Sequence, residues 1–545
     1  MDTLPVAPGM GYLDSWKDIA QYLRRDVRTV QRWESTKGLP VHRTPGGERP
    51  GVWASKSELD DWRRRGQVHL AQAPDRPIAV TAREETPSVA VLPFVNISGD
   101  KENEYFADGL ADEIITVLSC VPGLRVTART SSFAFRGTEQ DIRKIGSCLG
   151  AGTILEGAVR RSGNRVRVTA QLIQARDGYH LWSECYDREL TETFAIQEDI
   201  ARAIVESLRL RLGPRTSPVR HQTVNPEAYR LWLQGRYHCL RLIPAELMLS
   251  RRLFEQAAVL DPAFPSAQLG IAESWWQCAC FGMENAREAA AIGSCAVSRV
   301  LTAHPDSGEA HALMGILAGA QDFDWPAAER HFRRALELNP AAADIHLKYA
   351  AYLLEPLGRL DEAHAELENA LDLDPLSPVT LAYLGQCVMF QRRYDEAVEI
   401  LQEAAGLDPE FWMPQFLLFG AYAFQGKFDQ SVAIAERAVA ALGANPIVLG
   451  AVGGAYGFLG QPDKAQDCLD RIQVLGETRY VSPLSIAWIH MGLFQMEPCL
   501  DWLEKAIEER DPQIIHFGVK PLYDALRSHP RFQGLLQRMG LGARL

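Results

Sequence analysis

At 545 residues the chain is too long for one hydrophobic core, and at roughly 100 to 200 residues per domain it must divide into several. A hydrophobic content of 47% beside 23% charged residues excludes a fibrous or wholly disordered chain, and ten scattered cysteines without a CxxC pair exclude zinc fingers and a disulfide framework. The formal net charge of -12 is uneven: residues 12–66 hold twelve Lys and Arg against eight Asp and Glu, a local +4 that leaves -16 for the remainder.

In that basic segment, Ile19, Ala20 and Leu23 form the apolar face of a short helix with Ser15 as its cap. Val27, Val30 and Trp33 repeat on a second helix that Asp26 can cap, and the small Ala20 lets the two cross closely. Val41 and Val52-Trp53 flank the turn-rich Pro45-Gly46-Gly47 and Pro50-Gly51, which predicts a hairpin wing. A last helix capped by Ser57 buries Leu59 and Trp62. The segment resembles the helix-turn-helix of excisionase-like and MerR-like DNA-binding domains at Ile19, Ala20, Leu23, Thr29, Val30, Arg32 and Trp33, with Arg24 where that family has a turn glycine. The resemblance implies double-stranded DNA as partner: Arg28, Gln31 and Arg32 facing base edges, and Arg25, Thr29, Arg43 and Arg49 the backbone. A solvated face of a protein-binding helix bundle is the plainer reading of the same charges.

Residues 67–87, with three prolines and no sustained period, read as a linker whose charges interrupt any membrane span. From 88 to 212 the pattern is mixed α/β: a β-branched run at "SVAVLPFVN", a helix with Leu110, Ile114, Ile115 and Leu118, a strand "LRVTAR", and a helix "DIRKIGSCLG". Hairpin strands follow, turning near Gly163 and Gly178, and a helix from about Phe194 to Leu212 ends the unit. The stretches "AVLPFVNISGD", "EYFADGL", "RTSSFAF", "LEGAVRRSGNRVRVTAQL" and "HLWSECYDREL" resemble the TolB amino-terminal-like domain. The acids at 102, 104, 108, 112 and 113 raise a metal or acid-base site, but carboxylates early in a helix are accounted for by its dipole. Arg129, Ser131 and Arg136 raise a phosphate contact, against the simpler reading of a hydroxyl-rich connection.

After a second linker at 213–224, "LDP" or "LNP" recurs with its proline at 262, 340, 375 and 409, the last three 35 and 34 residues apart, and Pro305 and Pro446 keep the phase. Tyr383, Gly385, Tyr394, Ala397 and Ala404, then Gly420, Tyr422, Phe428, Val432 and Ala438, resemble the tetratricopeptide consensus. Residues 225–545 are therefore expected to form an α-solenoid of eight or nine helix pairs with a concave groove for a protein or peptide. Trp275, Trp276, Phe411, Trp412 and Met413 are groove candidates, with interhelix core as their plainer role. The uncharged run from Ala438 to Pro462 contains a helix-helix turn at Asn445-Pro446, so no membrane span is expected.

The expected whole is a mainly α, multidomain protein: winged helix-turn-helix head, mixed α/β middle domain and tetratricopeptide solenoid. The leading expectation is a cytoplasmic DNA-binding transcriptional regulator that can pair as a homodimer, with no cofactor and no metal. Without GxxxxGK[ST], HExxH, GxSxG or a kinase catalytic loop, no enzymatic role is expected. A scaffold that does not bind DNA, and an enzyme whose chemistry lies in the middle domain, remain as the competing readings.

Overall fold

The computed structural model describes residues 12–13, 15–23, 40–43, 52–56, 58–59, 87–98, 104–119, 121, 123–137, 141–162, 165–189, 193–207, 223, 225–409, 411–427, 430–434 and 445–541. They fall into two compact units, divided between Glu85 and Thr86.

In the smaller unit, helix α1 (Trp16–Leu23) packs on a three-stranded antiparallel sheet in which β3 (Val52–Ser55) lies between β1 (Tyr12–Leu13) and β2 (His42–Arg43). Ile19, Ala54 and Leu59 are fully buried, with Leu13, Trp16, Tyr22 and Val41 around them, and His42 bonds Glu58 at 2.9 Å. The expected second helix, residues 27–33, lies outside the described residues.

The larger unit begins with a six-stranded mixed sheet. Strand β4 (Ser88–Val91) is parallel to β6 (Arg125–Val126) on one side and β7 (Thr153–Ser162) on the other, and β5 (Val95–Asn96) extends along β7. Strands β7, β8 (Arg165–Gln174) and β9 (His180–Glu189) form an antiparallel meander. Alternation decides the faces: Val166, Val168, Ala170 and Leu172 of β8 point to one core, beneath α2 (Glu104–Ser119) and α5 (Thr193–Ser207). The other face is covered at one end by α4 (Ile142–Leu149), which buries Ile145 and Leu149 against Ala90, Leu92 and Ile154. A five-residue helix, α3 (Arg129–Phe133), joins β6 to α4.

Antiparallel helix pairs follow: α6 (Pro226–Cys239) with α7 (Pro244–Leu260), α8 (Pro265–Cys280) with α9 (Ala286–Ala303), and α10 (Gly308–Asp322) with α11 (Trp325–Leu338). Then α12 (Ala343–Tyr349), which continues into a π turn at Ala350–Leu354, pairs with α13 (Leu360–Leu373), and α14 (Pro378–Phe390) with α15 (Tyr394–Leu407). Helix α16 (Trp412–Phe424) precedes α17 (Pro446–Phe458) with α18 (Pro462–Gly476), and α19 (Pro483–Gly492) with α20 (Met496–Glu508). Two 3-10 turns at Pro512–His516 and Pro521–Leu526 lead to α21 (Pro530–Arg538).

The repeat chemistry is visible in the pairs. Proline at the first helical position and an Asn or Ser cap start several of these helices, as Asn225 does by accepting from the amides of Glu227 and Ala228. Glycines on the first helix of a pair admit a large side chain from the second: Phe254 against Gly235, Phe332 against Gly315, Leu401 against Gly385. Trp276 is 3% exposed and packs on Tyr352, Phe411 is buried, and Trp412 donates its indole N–H to the Leu242 carbonyl at 2.8 Å. These aromatics join repeats to one another. Among the described residues no helix is long and apolar enough to cross a membrane.

The last repeats return to the second and third pairs. Arg287 donates to the Glu508 carbonyl at 2.6 Å, Gln321 to that of Arg510 at 3.2 Å, and the Trp325 indole to that of Met539 at 2.7 Å. Asn445 reaches the Phe281 carbonyl at 3.2 Å, and Phe517, Tyr523 and Phe532 fill the space between as a buried aromatic cluster.

Candidate functional site

A buried cluster of charged residues lies where the α/β layer meets the first repeats. Asp108 and Asp112 are four residues apart and therefore share one face of α2, amid Ala107, Gly109, Leu110 and Ala111. Their exposures are 3% and 6%, low enough that each carboxylate needs a partner. Arg136 supplies one at 2.5 Å from Asp108, and Arg236 of α6 donates from Nε to Asp112 at 2.6 Å. Arg129 stands between them, 4.0 Å from Asp108 and 3.8 Å from Asp112, with its guanidinium over the Phe133 ring. Asp108 Oδ1 keeps no hydrogen-bond partner.

The small residue between the acids makes the junction possible: a Cβ on Gly109 would overlap the Leu233 methyl groups of α6. From Arg236 the charges continue across the inner repeat helices to Glu309 of α10 and to Lys348 of α12, which lies 3.3 Å from Glu273 and 3.2 Å from Asp344. Burial pushes the Glu113 carboxyl up to about 7, with Asp112 adding to the rise, and burial likewise raises Asp108 against the opposing pull of Arg136. Burial disfavours the charge of Arg236, yet Asp112 and Glu309 outweigh it and its pKa rises.

A second contact ties α3 to the repeats. The Ser131 amide and hydroxyl both donate to Asp374 Oδ1, at 2.9 and 2.5 Å, and the hydroxyl accepts from the Leu376 amide at 2.7 Å. Asp374 is the acid of one "LDP" turn, so an acid that ends a repeat helix also docks the α/β layer. Leu376 follows it into the core under α4.

These residues were singled out in the sequence for other reasons. The acids read as complements to a helix dipole, and "RTSSFAFRG" as a connection with a phosphate alternative. The structure goes further: Asp108 and Asp112 are held by arginines of α3, of the turn after it and of α6, and Arg129, Ser131 and Arg136 of the connection are engaged within the chain. The signal available was a pair of acids spaced i, i+4 inside an otherwise apolar, small-residue helix face. Arg236 had none, because its partner is more than a hundred residues away.

Of the residues expected to touch DNA, Arg25, Arg28, Thr29, Gln31, Arg32 and Arg49 lie outside the described residues, and Arg43 is in β2, its backbone paired with Val52. Among the described residues no cluster of three His, Cys, Asp or Glu could hold a metal ion.

The tetratricopeptide repeat family matches residues 357–416. A protein of Rhizobium meliloti (strain 1021) named "Putative adenylate cyclase 3" is 41% identical over 235 residues, which is 42% of this chain and 38% of that one. This chain thus spans about two fifths of the curated relative it matches. Among solved structures, Pseudomonas aeruginosa pilF is similar over 43% of this chain and 97% of its own, at 16% identity and a TM-score of 0.31. Human IFIT1 in its dimer with PPP-AAAA covers 58% and 78%, at 15% and 0.39, and a thermophilic tetratricopeptide protein of Thermus thermophilus covers 36% and 99%, at 18% and 0.31.

The cyclase likeness points to an enzyme and overturns the expectation that no enzymatic role exists. That expectation rested on four missing motifs, and a motif search is blind to any catalytic chemistry outside the patterns it contains.

Proposed function

We propose that this protein is an interaction scaffold in which the tetratricopeptide solenoid holds its own α/β domain and recruits partner proteins. The observation that carries it is the run of helix pairs from 226 to 508, containing the tetratricopeptide match at 357–416, since stacked pairs of this kind expose extended surface at each repeat. The test is cross-linking of the full chain to partners purified with it from its source, followed by mapping of the linked lysines. Links concentrated at Lys427, Lys464 and Lys505 are the expected outcome. Links confined to residues 1–212 sink this reading.

A second reading places the scaffold in cyclase chemistry, on the strength of the 41% identity over 235 residues. Incubation of the full chain with ATP and a divalent cation, alone and mixed with a separate cyclase catalytic domain, is expected to form or to alter the formation of cyclic AMP. No change in either mixture removes it.

The finer role for the head, binding of double-stranded DNA through Arg25, Arg28, Thr29, Gln31, Arg32, Arg43 and Arg49, is supported by the local charge of +4 and by a helix at 16–23 beside short strands. A mobility-shift series should weaken steeply with salt, and Arg28→Ala with Arg32→Ala should reduce both affinity and salt slope.

A further inference from the structure

The third and fourth helix pairs carry the same three-residue arrangement with one difference. In the third, His311 stands on the first turn of α10 and His331 faces it from α11, their Nδ1 atoms 3.0 Å apart and their ring centroids 5.2 Å apart. His311 Nε2 lies 3.0 Å from the Pro305 carbonyl. One repeat later Pro340, His346 and Glu366 occupy the matching places: His346 Nε2 is 3.0 Å from the Pro340 carbonyl, and its Nδ1 is 2.6 Å from Glu366. An imidazole thus stands where the neighbouring pair has a carboxylate.

The number of protons each arrangement needs follows from its acceptors. A carbonyl only accepts, so His311 and His346 both carry hydrogen on Nε2. Glu366 also only accepts, so His346 needs hydrogen on both nitrogens, and its imidazolium completes that arrangement. His311 meets another ring instead. One of the two facing Nδ1 atoms must stay bare for an N–H···N bond to form, so in the neutral pair His331 donates to His311. A first added proton sits on Nε2 of His331 and leaves that bond in place. A second puts hydrogen on both Nδ1 atoms, and two like charges then face each other at hydrogen-bond distance.

No carboxylate relieves this repulsion. Among the described residues the charged groups acting on His331 are His311 of α10 and Arg330 of its own helix, and both oppose a further proton. Asp306, beside Pro305, is held by Arg334 at 2.8 Å. Burial, His311 and Arg330 accordingly hold the His331 imidazole below the usual 6.5. Burial acts the same way on His346, but its bonds to Glu366 and Pro340 and the charges of Glu366 and Asp344 outweigh it and hold that ring above 6.5. The signs are opposite. The contribution of His331 is complete above the ordinary value and is lost as pH falls through its folded one, whereas that of His346 is complete below the ordinary value and is lost as pH rises through its own.

We infer that the pair α10–α11 is a proton-sensitive joint within the solenoid, which loosens on acidification while its neighbour α12–α13 tightens. The inference goes beyond the scaffold reading and does not depend on it.

The test is hydrogen exchange by mass spectrometry on the full chain at about pH 5.5 and 7.5, on either side of the ordinary histidine value, with each rate divided by its intrinsic rate at that pH. Expected is a loss of protection in α10 and α11 of roughly three- to tenfold on the acid side, with α12 and α13 unchanged or better protected. His331→Glu should copy the neighbouring arrangement and reverse the sign for α10 and α11. His331→Gln should flatten it, because the amide keeps a hydrogen-bonding partner for His311 that does not titrate.

Equal changes at every helix pair would mark a general effect of acid and overturn the proposal, as would α10 and α11 protection that ignores pH. So would His331→Glu retaining the wild-type sign. If that variant does not fold, His331→Gln decides: a wild-type pH response without the second imidazole puts the effect elsewhere and overturns the joint.

Discussion

Where the α/β layer meets the first repeats, the contacts are carboxylate to guanidinium; where the last repeats meet the second and third pairs, they are indole, amide and guanidinium to backbone carbonyl. Both bring together segments distant in sequence. They differ in what a single loss leaves behind. An acid-arginine seam leaves an uncompensated buried charge, whereas a donor lost from a carbonyl leaves one neutral acceptor unpaired. The first should respond to pH through its titratable groups but only weakly to salt, because buried pairs are poorly screened, and the second should be nearly indifferent to both.

The strongest way to break that contrast is Asp112→Ala, which strips Arg236 and Arg129 of their shared carboxylate. A loss of roughly 3 kcal/mol is expected from urea unfolding, with a smaller loss when Asp112→Leu is combined with Arg236→Met. If the double variant is as unstable as the single one, the seam is not ionic in its energetics. Trp325→Phe probes the other closure by orphaning the buried Met539 carbonyl, and should cost about 2 kcal/mol, equally in low and high salt. Ser131→Ala keeps the backbone amide bond to Asp374 and removes the hydroxyl, so about 1.5 kcal/mol should be lost.

The smallest expected effect is a pH dependence. Glu113 is held near 7, above the ordinary 4.5, so between those values the folded chain binds more protons than the unfolded one, and stability falls as pH rises through the window. Glu113→Gln should remove this slope, gaining on the order of 1 kcal/mol at pH 8 after solvent screening and little at pH 4.5. The carbonyl seam offers no comparable slope. A matching change after Trp325→Phe would erase the distinction between the two junctions.

The repeat region was the most legible in the sequence because its determinants are local. The "LDP" turns, the proline starts and glycines such as Gly385 act within one pair or on the next, so their spacing survives in one dimension. The middle domain was also legible: β4, α2, β6, α4 and the β7–β9 meander follow the runs that alternation and helical spacing marked. One difference lies at α3, expected as a connection and found as a helix with Ser131 and Ser132 buried. Hydroxyl-rich stretches suit turns until a distant acceptor such as Asp374 satisfies them.

Length, composition and period were enough to determine the mixed α/β segment, the helical repeats and their phase, since each depends on neighbours within about forty residues. The fold alone decided that Asp112 is buried against Arg236 and that an inter-repeat acid, Asp374, docks the α/β layer. Those outcomes depend on which charges and rings meet across a hundred residues or more. Pairing energy exists only once folding has removed water from between the partners, and no linear pattern encodes that meeting.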